Sequence, residues 1–304
     1  DVIAFGDEEG VRFQATLLGS RAVAGNLDRE TLQAVDDDGV HMYEAMRGFG
    51  LDPDAVADAG YDRNGVAAYV EVHIEQGPVL EAEELPVGVV TSIAGAVRLR
   101  VEVMGRAGHA GTVPMNLRRD ALAAASEAVV AVERICMETP GTVGTVGVLR
   151  TVSGAVNVIP GVVEFTIDVR GESDELRRAA LDRINRAFAE IASRRGVHFD
   201  CVPTHEVGAR QCSPRLVRRL GEAIEAEGFD VRRLPSGAGH DAMAMADLTE
   251  VGMLFVRCKE GISHHPAESM TVADAGVAAR VLLRFLDRFD ADEREAAGEE
   301  QRAA

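Results

Sequence analysis

Tryptophan is absent from the 304 residues, and aromatic side chains make up only 4% of them. So few rings argue against a protein that binds nucleic acid by stacking bases. Cysteine is also scarce: Cys136, Cys201, Cys212 and Cys258 show no CxxC spacing, which is typical of a reduced, cytoplasmic protein. No apolar run approaches the length of a transmembrane helix, so the sequence predicts no membrane partner.

Positive charge is in short supply as well. The chain has 32 basic and 50 acidic residues and a formal net charge of -18, which argues against nucleic acid and anionic membranes as partners. A few local arginines can still make a cleft attractive to an acidic small molecule. Hydrophobic residues make up 46% of the chain, enough for a substantial core and for two domains.

The order of apolar segments predicts an α/β protein with an inserted domain. Buried-strand and helix patterns over 1–95 and 207–290 predict one discontinuous catalytic domain. Strict alternation beginning at Val97 predicts a strand with one wet face, and 96–206 reads as an α+β insert with a mainly antiparallel sheet. The charged, alanine-rich 291–304 is expected to be a frayed, flexible tail.

An acidic pair follows the first apolar run. Val2–Phe5 is predicted to be a short buried strand, and Glu8 and Glu9 come just after it. Adjacent carboxylates repel each other, and a divalent metal relieves that cost. We therefore interpret Glu9 as a metal ligand and Glu8 as the base that takes a proton from water. The alternative for such a pair is a solvated acidic turn.

Three histidines stand beside predicted strands or turns. His73 ends a strand, His264 lies in a loop after a buried strand, and His240 lies in a glycine-rich loop that leads into a helix. Ligands collect at the carboxyl ends of strands in open α/β sheets, and imidazole with carboxylate suits zinc or manganese. A single such histidine is more often only hydrogen-bonded in its loop, but Glu9, His73 and His264 all follow strands, and with the Glu pair these three sites favour a metal.

The insert carries further candidates. His109 lies in a glycine-rich loop and must cross a domain or subunit boundary to reach the metal site. Arg170 ends a strand and has the fork geometry to bind a carboxylate, or it pairs with Asp168 or Glu172; the sequence leaves both open. Arg98, on the wet face of its strand, is expected to be exposed.

Six motifs together resemble the amidohydrolases of N-carbamoyl and ureido compounds, within the aminoacylase-like co-catalytic metallohydrolases, over essentially the whole chain. They are Asp7-Glu8-Glu9-Gly10, His73-Ile74-Glu75-Gln76-Gly77-Pro78, His109-Ala110-Gly111-Thr112-Val113-Pro114-Met115, Asn157-Val158-Ile159-Pro160-Gly161, Ser236-Gly237-Ala238-Gly239-His240-Asp241-Ala242 and Ser263-His264.

The resemblance implies a role for each matching residue. Glu8 is the general base, and the ligands of two divalent ions, Mn²⁺ or Zn²⁺, include Glu9, His73 and His264. His109 and His240 stabilise the oxyanion. The substrate-binding positions are Arg170, Asn157, Arg98, Gln76 and Gly239. The insert becomes a lid and dimerisation domain of a homodimer, in which His109 serves the partner subunit's site.

The implied reaction is hydrolysis of a ureido C–N bond in a small carboxylate. Allantoate, a purine catabolite whose hydrolysis releases ammonia and CO₂, fits best because Arg98 matches an arginine of allantoate enzymes. N-carbamoyl-L-amino-acid hydrolysis, or a β-ureidopropionase-like reaction, is the alternative. A dipeptidase or aminoacylase is disfavoured by His73, where those enzymes usually have a carboxylate.

One departure concerns two further ligands, a histidine and a bridging aspartate, which the family places upstream of the Glu pair. We therefore expect that part of the catalytic domain precedes Asp1, and that this chain alone binds metal poorly and is inactive. In that case the alternative is a truncated, non-catalytic homologue that dimerises and binds carboxylates.

Overall fold

The computed structural model describes residues 1–289, so the predicted tail over 291–304 lies outside the described residues. In chain order the helices and strands are α1 (Leu18–Val23), α2 (Met42–Gly48), β1 (Tyr69–Ile74), α3 (Val79–Ala82), β2 (Val87–Ile93), β3 (Gly95–Met104), β4 (Gly108–His109), α4 (Ala121–Met137), β5 (Thr142–Thr145), β6 (Leu149–Thr151), β7 (Val158–Ile159), β8 (Val162–Gly171), α5 (Asp174–Arg195), β9 (His198–Val207), β10 (Arg210–Gln211), α6 (Pro214–Ala226), β11 (Arg233–Ser236), α7 (Ala242–Met245), β12 (Val251–Val256) and α8 (Val272–Asp287).

The chain divides into two compact units. Among the described residues, the first contains 1–93 and 211–289, and the second contains 94–210. The sequence placed these boundaries near 95 and 207. Among the described residues no helix is both long and apolar enough to cross a membrane.

The first unit is built on a mixed sheet. β1 pairs with β12 in parallel, β12 pairs with β2 antiparallel, β11 joins β2 in parallel, and β10 completes the sheet. Helices α6 and α8 cover it with buried side chains that include Leu216, Leu220 and Phe285. Gly252 in β12 permits this packing, because a Cβ there would lie 2.9 Å from the Leu216 Cβ atom.

The predicted strand at Val2–Phe5 is wrong. Residues 1–7 form neither helix nor strand, and Val2 is fully exposed. An apolar run becomes a strand only when a neighbouring strand pairs with it and buries it. Glu8 and Glu9 therefore lie in a turn and not at the end of a strand.

The second unit has an antiparallel sheet in the order β5-β8-β3-β9, with β6 also paired to β8. Its core side chains come from one face of the sheet and from α4 and α5, and they include Val101, Phe165 and Phe188. Helix α5 begins at Ser173, whose Oγ accepts a hydrogen bond from the Leu176 N–H (3.3 Å). It ends at Gly196 in the left-handed conformation (φ 64°), as glycine allows.

A buried arginine secures the edge of this second sheet. Arg177 of α5 is 1% exposed. It donates to the Ala96 carbonyl in β3 (2.9 Å) and to the Val207 carbonyl in β9. It also contacts the carboxylates of Glu206 (3.0 Å) and Asp174 (3.2 Å). One guanidinium thereby links α5, β3 and β9.

Candidate metal and hydrolase site

A tight turn presents the two adjacent glutamates. Asp7 lies in the left-handed region (φ 52°), and its Oδ1 accepts the Val11 N–H (2.8 Å). The Leu17 N–H donates to the Glu8 carbonyl (2.8 Å). Gly10 allows the turn, because its φ is +67° and a Cβ would lie 2.6 Å from the Ala15 carbonyl carbon. The local sequence thus fixes both glutamates without a strand.

Glu9 and His264 meet directly. The Glu9 Oε1 and His264 Nε2 atoms are 2.9 Å apart. They line a cavity of about 620 Å³ in the first unit, together with His73, Gln76 and Glu268. The structure therefore brings the three predicted metal ligands and the predicted substrate residue Gln76 to one cavity.

Two residues that line this cavity have unusual backbones. Gln76 (φ 55°) and His264 (φ 57°) are in the left-handed region, where residues other than glycine are uncommon. Glu268 Oε2 accepts the His264 N–H (3.0 Å), which holds the loop in that conformation. Such conformations cluster at functional sites.

A second group of donors lies around His73. Glu71 and His73 are two residues apart on β1, so their side chains share one face. Glu71, His73 and His240 place one potential ligand atom each within 4.8 Å of the others. The His73 and His240 rings meet edge to face with centroids 4.6 Å apart. His240 is buried, with Nε2 2.6 Å from the Ser236 Oγ atom, and Gly239 directly precedes it in the loop.

The electrostatic environment prepares Glu8 for proton transfer. Partial burial raises the pKa of Glu8 to about 7, and Asp241, Glu9 and Glu71 add to the rise while His73 opposes it. A carboxylate with a pKa near neutrality suits a general base. Burial, with a smaller effect of His73, lowers the pKa of His240 to about 3, so its imidazole is neutral.

The remaining predicted site residues belong to the second unit. Arg98 Nε (3.1 Å) and Arg170 Nε (2.9 Å) both donate to Asp168, which is one of the two alternatives left open for Arg170. His109 is in β4, and its Nδ1 accepts the Gly111 N–H (3.0 Å).

Asn157 is close to His109 in this unit. Its carbonyl accepts the Ala110 N–H (2.9 Å), and β4 pairs with β7 just after it. The structure thus brings His109 near Asn157, and Arg98 near Arg170, while their contact with substrate stays a prediction.

Sequence reasoning missed Glu71, Asp241 and Glu268 as site residues. The two-residue period of β1 was a signal for Glu71, since it points to the same side as His73. Asp241 was quoted only as part of a motif, and its burial raises its pKa. Glu268 acts through the backbone of His264, and no sequence pattern reveals such a contact.

The donor set fits a divalent metal. Glu9 and His264 offer an oxygen and a nitrogen 2.9 Å apart, close to the separation of two ligands that bind one ion at about 2.0–2.2 Å. Within the described part of the chain, the buried His240 Nδ1 and Asp241 Oδ1 atoms have no hydrogen-bond partner, so the site also contains a nitrogen and an oxygen that are available to a metal.

Comparison with known proteins identifies relatives of this chain. A sequence profile of the Peptidase family M20/M25/M40 matches residues 1–288. A probable allantoate deiminase of Oryza sativa subsp. japonica is 44% identical over 96% of this chain and 66% of its own length. An N-carbamoyl-L-amino-acid amidohydrolase of Pseudomonas sp. (strain NS671) is 42% identical over 94% of this chain and 70% of its own.

A solved structure is also similar. The hydantoinase/carbamoylase-family amidase of Burkholderia multivorans superimposes with a TM-score of 0.84 at 34% identity, covering 92% of this chain and 67% of that one. The chain thus spans about two thirds of the length of these proteins. The α/β metallohydrolase fold and the resemblance drawn from the six motifs are confirmed, and the chain belongs to the Peptidase family M20/M25/M40, a family of metal-dependent hydrolases.

Proposed function

We propose that this chain catalyses the metal-dependent hydrolysis of a ureido C–N bond in a small carboxylate. The observation that carries the proposal is the Glu9–His264 pair, 2.9 Å apart at a cavity that His73 also lines, with Glu8 directly before Glu9 in the chain. Relatives named for both allantoate and N-carbamoyl-L-amino-acid hydrolysis support it.

Glu9, His264 and His73 would hold two divalent ions, zinc or manganese. When bound, these ions polarise the substrate carbonyl and lower the pKa of water. Glu8 takes the proton of the attacking water and returns it to the leaving nitrogen. The ureido group and one water give an amine, ammonia and CO₂, so the proton balance needs no other reactant.

The second unit would supply recognition of the carboxylate. Arg98 and Arg170 both contact one carboxylate, Asp168, so the two guanidinium groups are held close together. With Asn157 they form the proposed carboxylate-binding group, and His109 with His240 is proposed to stabilise the oxyanion. We also propose a cytoplasmic homodimer in which the second unit serves as lid and dimerisation domain.

Allantoate is the first proposed substrate. The identities of 44% and 42% to the two kinds of relative do not separate the substrates. Arg98 favours allantoate, because the resemblance places an arginine at this position in allantoate enzymes and an aromatic residue in the carbamoyl-amino-acid enzymes.

The test measures metal content and ammonia release from allantoate and from N-carbamoyl-L-amino acids, with manganese or zinc added. Turnover, faster with allantoate, would support the proposal and would show that the two ligands that the family places upstream of Glu8 are not needed. Glu8→Gln should keep the metal and lose turnover, whereas Glu30→Gln on the exposed surface should change neither. Turnover retained by Glu8→Gln would refute the base assignment. Metal binding without ammonia from either substrate would favour a non-catalytic carboxylate-binding protein.

A further inference from the structure

The loop between Arg106 and Arg119 carries His109 in the second unit. Its base is closed where the Arg106 N–H donates to the Arg119 carbonyl (2.7 Å). Just after His109, the Ala110 N–H donates to the Asn157 carbonyl (2.9 Å). The base of the loop and the strand that carries His109 are thus fixed, and the position of the imidazole depends on the turn that follows.

His109 begins a single helical turn. Its carbonyl accepts the N–H groups of Thr112 and Val113 (3.3 and 3.2 Å). In a helix the Ala110 carbonyl would accept the N–H of the residue four positions on. That residue is Pro114, which has no N–H and cannot continue the turn. The turn therefore ends with carbonyls that need a donor from elsewhere.

Arg118 supplies that donor. It is partly buried, its Nη2 donates to the Ala110 carbonyl (2.6 Å), and its Nε donates to the Val113 carbonyl (3.1 Å). One planar guanidinium thereby holds both carbonyls at once. A lysine presents a single ammonium on a flexible stem and does not reproduce this geometry.

The turn also determines which nitrogen of His109 carries the proton. The Gly111 N–H donates to His109 Nδ1 (3.0 Å). A ring nitrogen that accepts a hydrogen bond has a lone pair, so in the neutral imidazole the proton is on Nε2. His109 is exposed, and its ring therefore offers a ligand an N–H from Nε2. An oxyanion is stabilised by such a donor.

We propose that Arg118 is a positioning residue that holds the turn of His109, so that Nε2–H is the donor presented to the oxyanion. Arg118 acts through two backbone carbonyls and not by contact with the substrate. Without it the Gly111 N–H is no longer held against Nδ1, and the proton is shared between the two ring nitrogens. The oxyanion role rests on the proposed function, whereas the tautomer follows from contacts within the second unit.

The experiment reads the tautomer by nitrogen-15 NMR of the histidine rings in the full chain, without substrate. The signals of His109 are identified by their loss in His109→Gln. At about pH 8.5, above the ordinary pKa of imidazole, Nε2 should be protonated and Nδ1 unprotonated. In Arg118→Met the two signals should move towards each other. Arg118→Lys keeps the charge but should show the same change.

The matched control is Arg119→Met. Arg119 neighbours Arg118, is exposed, and its side chain lies beside Gly196 at the end of α5. This variant should keep the His109 signals of the unchanged chain. Should Arg118→Met fail to fold, as shown by circular dichroism, Arg118→Lys makes the same test.

Kinetics test whether the positioned donor is used. A misplacement of about 1 Å costs about 100-fold in rate, so kcat of Arg118→Met should fall by about 10- to 100-fold. KM should change little, because an oxyanion donor acts in the transition state and Arg98 and Arg170 still bind the carboxylate.

An unchanged tautomer in Arg118→Met or Arg118→Lys would overturn the inference. A changed tautomer with an unchanged kcat would also overturn it, because His109 would then not be the oxyanion donor. Absence of turnover in the unchanged chain would count against the proposed function instead. In that case a changed tautomer in Arg118→Met would still support the hold of Arg118 on His109.

Discussion

Arg177 offers a stringent test of how the second unit is held together. Arg177→Met removes two hydrogen bonds from a charged donor to the carbonyls of Ala96 and Val207, each with a contribution of about 1.5–3 kcal/mol. It also removes the contacts with the more exposed carboxylates of Glu206 and Asp174, which contribute less. Part of this loss is offset, because a buried guanidinium with an unpartnered Nε atom no longer has to be desolvated. We therefore expect a net loss of about 3 kcal/mol in the free energy of unfolding.

Arg178 is the matched control. It neighbours Arg177 on α5, is 64% exposed and reaches Asp174 only at 3.7 Å, so Arg178→Met should cost under about 1 kcal/mol. Urea unfolding is followed by far-UV circular dichroism. The chain lacks tryptophan, and Tyr43, Tyr61 and Tyr69 all belong to the first unit, so tyrosine fluorescence does not report on the second.

With a slope of about 3 kcal/mol per molar urea, the midpoint for Arg177→Met should fall by about 1 M. A midpoint shift no larger than that of Arg178→Met would refute the idea that the buried guanidinium links the edge of this sheet.

Three further predictions concern the same chain. Burial raises the pKa of Asp168, but Arg170 and Arg98 outweigh it and lower the pKa below 3.8. Asp168→Asn should therefore lower the free energy of unfolding by about 1 kcal/mol at pH 7. This loss should vanish as the pH falls below 3.8 through the native pKa. An equal loss at both pH values in urea unfolding would contradict this prediction. Gly105→Ala would put a Cβ atom 2.1 Å from the Arg119 carbonyl oxygen, so urea unfolding should show a loss of about 1–3 kcal/mol, and an unchanged stability would mean that the backbone yields freely. Zinc at 100 times its Kd should stabilise the chain by about 2.7 kcal/mol, seen as a higher Tm that a chelator reverses; a Tm indifferent to zinc would count against the metal site.

Local signals predicted the second unit well. The alternation from Val97 gave the wet and dry faces of β3 because one face packs on helices. Ser173 and Gly196 marked both ends of α5, since the first supplies an acceptor to free N–H groups and the second adopts a positive φ. Each signal acts within a few residues, so distant contacts did not overrule it.

Predictions that depend on distant partners were less secure. Val2–Phe5 had an apolar pattern, but no strand among the described residues pairs with it, so Val2, Ile3 and Ala4 are exposed. The choice between substrate and Asp168 as the partner of Arg170 depends on a neighbour on its own strand, and the sequence left it open. In this chain the Arg170 Nε and Asp168 Oδ1 atoms lie 2.9 Å apart.

At the candidate site, too, local motifs predicted some residues and contacts between distant segments determined others. Glu9, His73 and His264 were predicted to lie together because motifs at strand ends and turns carry them, and they line one cavity. The part played by Glu71 depends on β1 packing beside the loop of His240, and these residues are more than 160 positions apart in the chain. Burial and the orientation of lone pairs are properties of the folded site, and residue spacing does not encode them.

The pairing of β3 with β9 has a consequence for how the chain folds. Ala96 lies opposite Val207, so the first and last strands of the second unit are neighbours. The chain therefore enters and leaves the second unit at adjacent points. Once it has folded, the two distant segments of the first unit are joined as though by a tight turn. This would spare them most of the roughly 4 kcal/mol of entropy needed to close a flexible loop of more than 100 residues. The second unit is continuous in sequence, and its folding can thus lower the entropy cost of bringing together the two segments of the first unit.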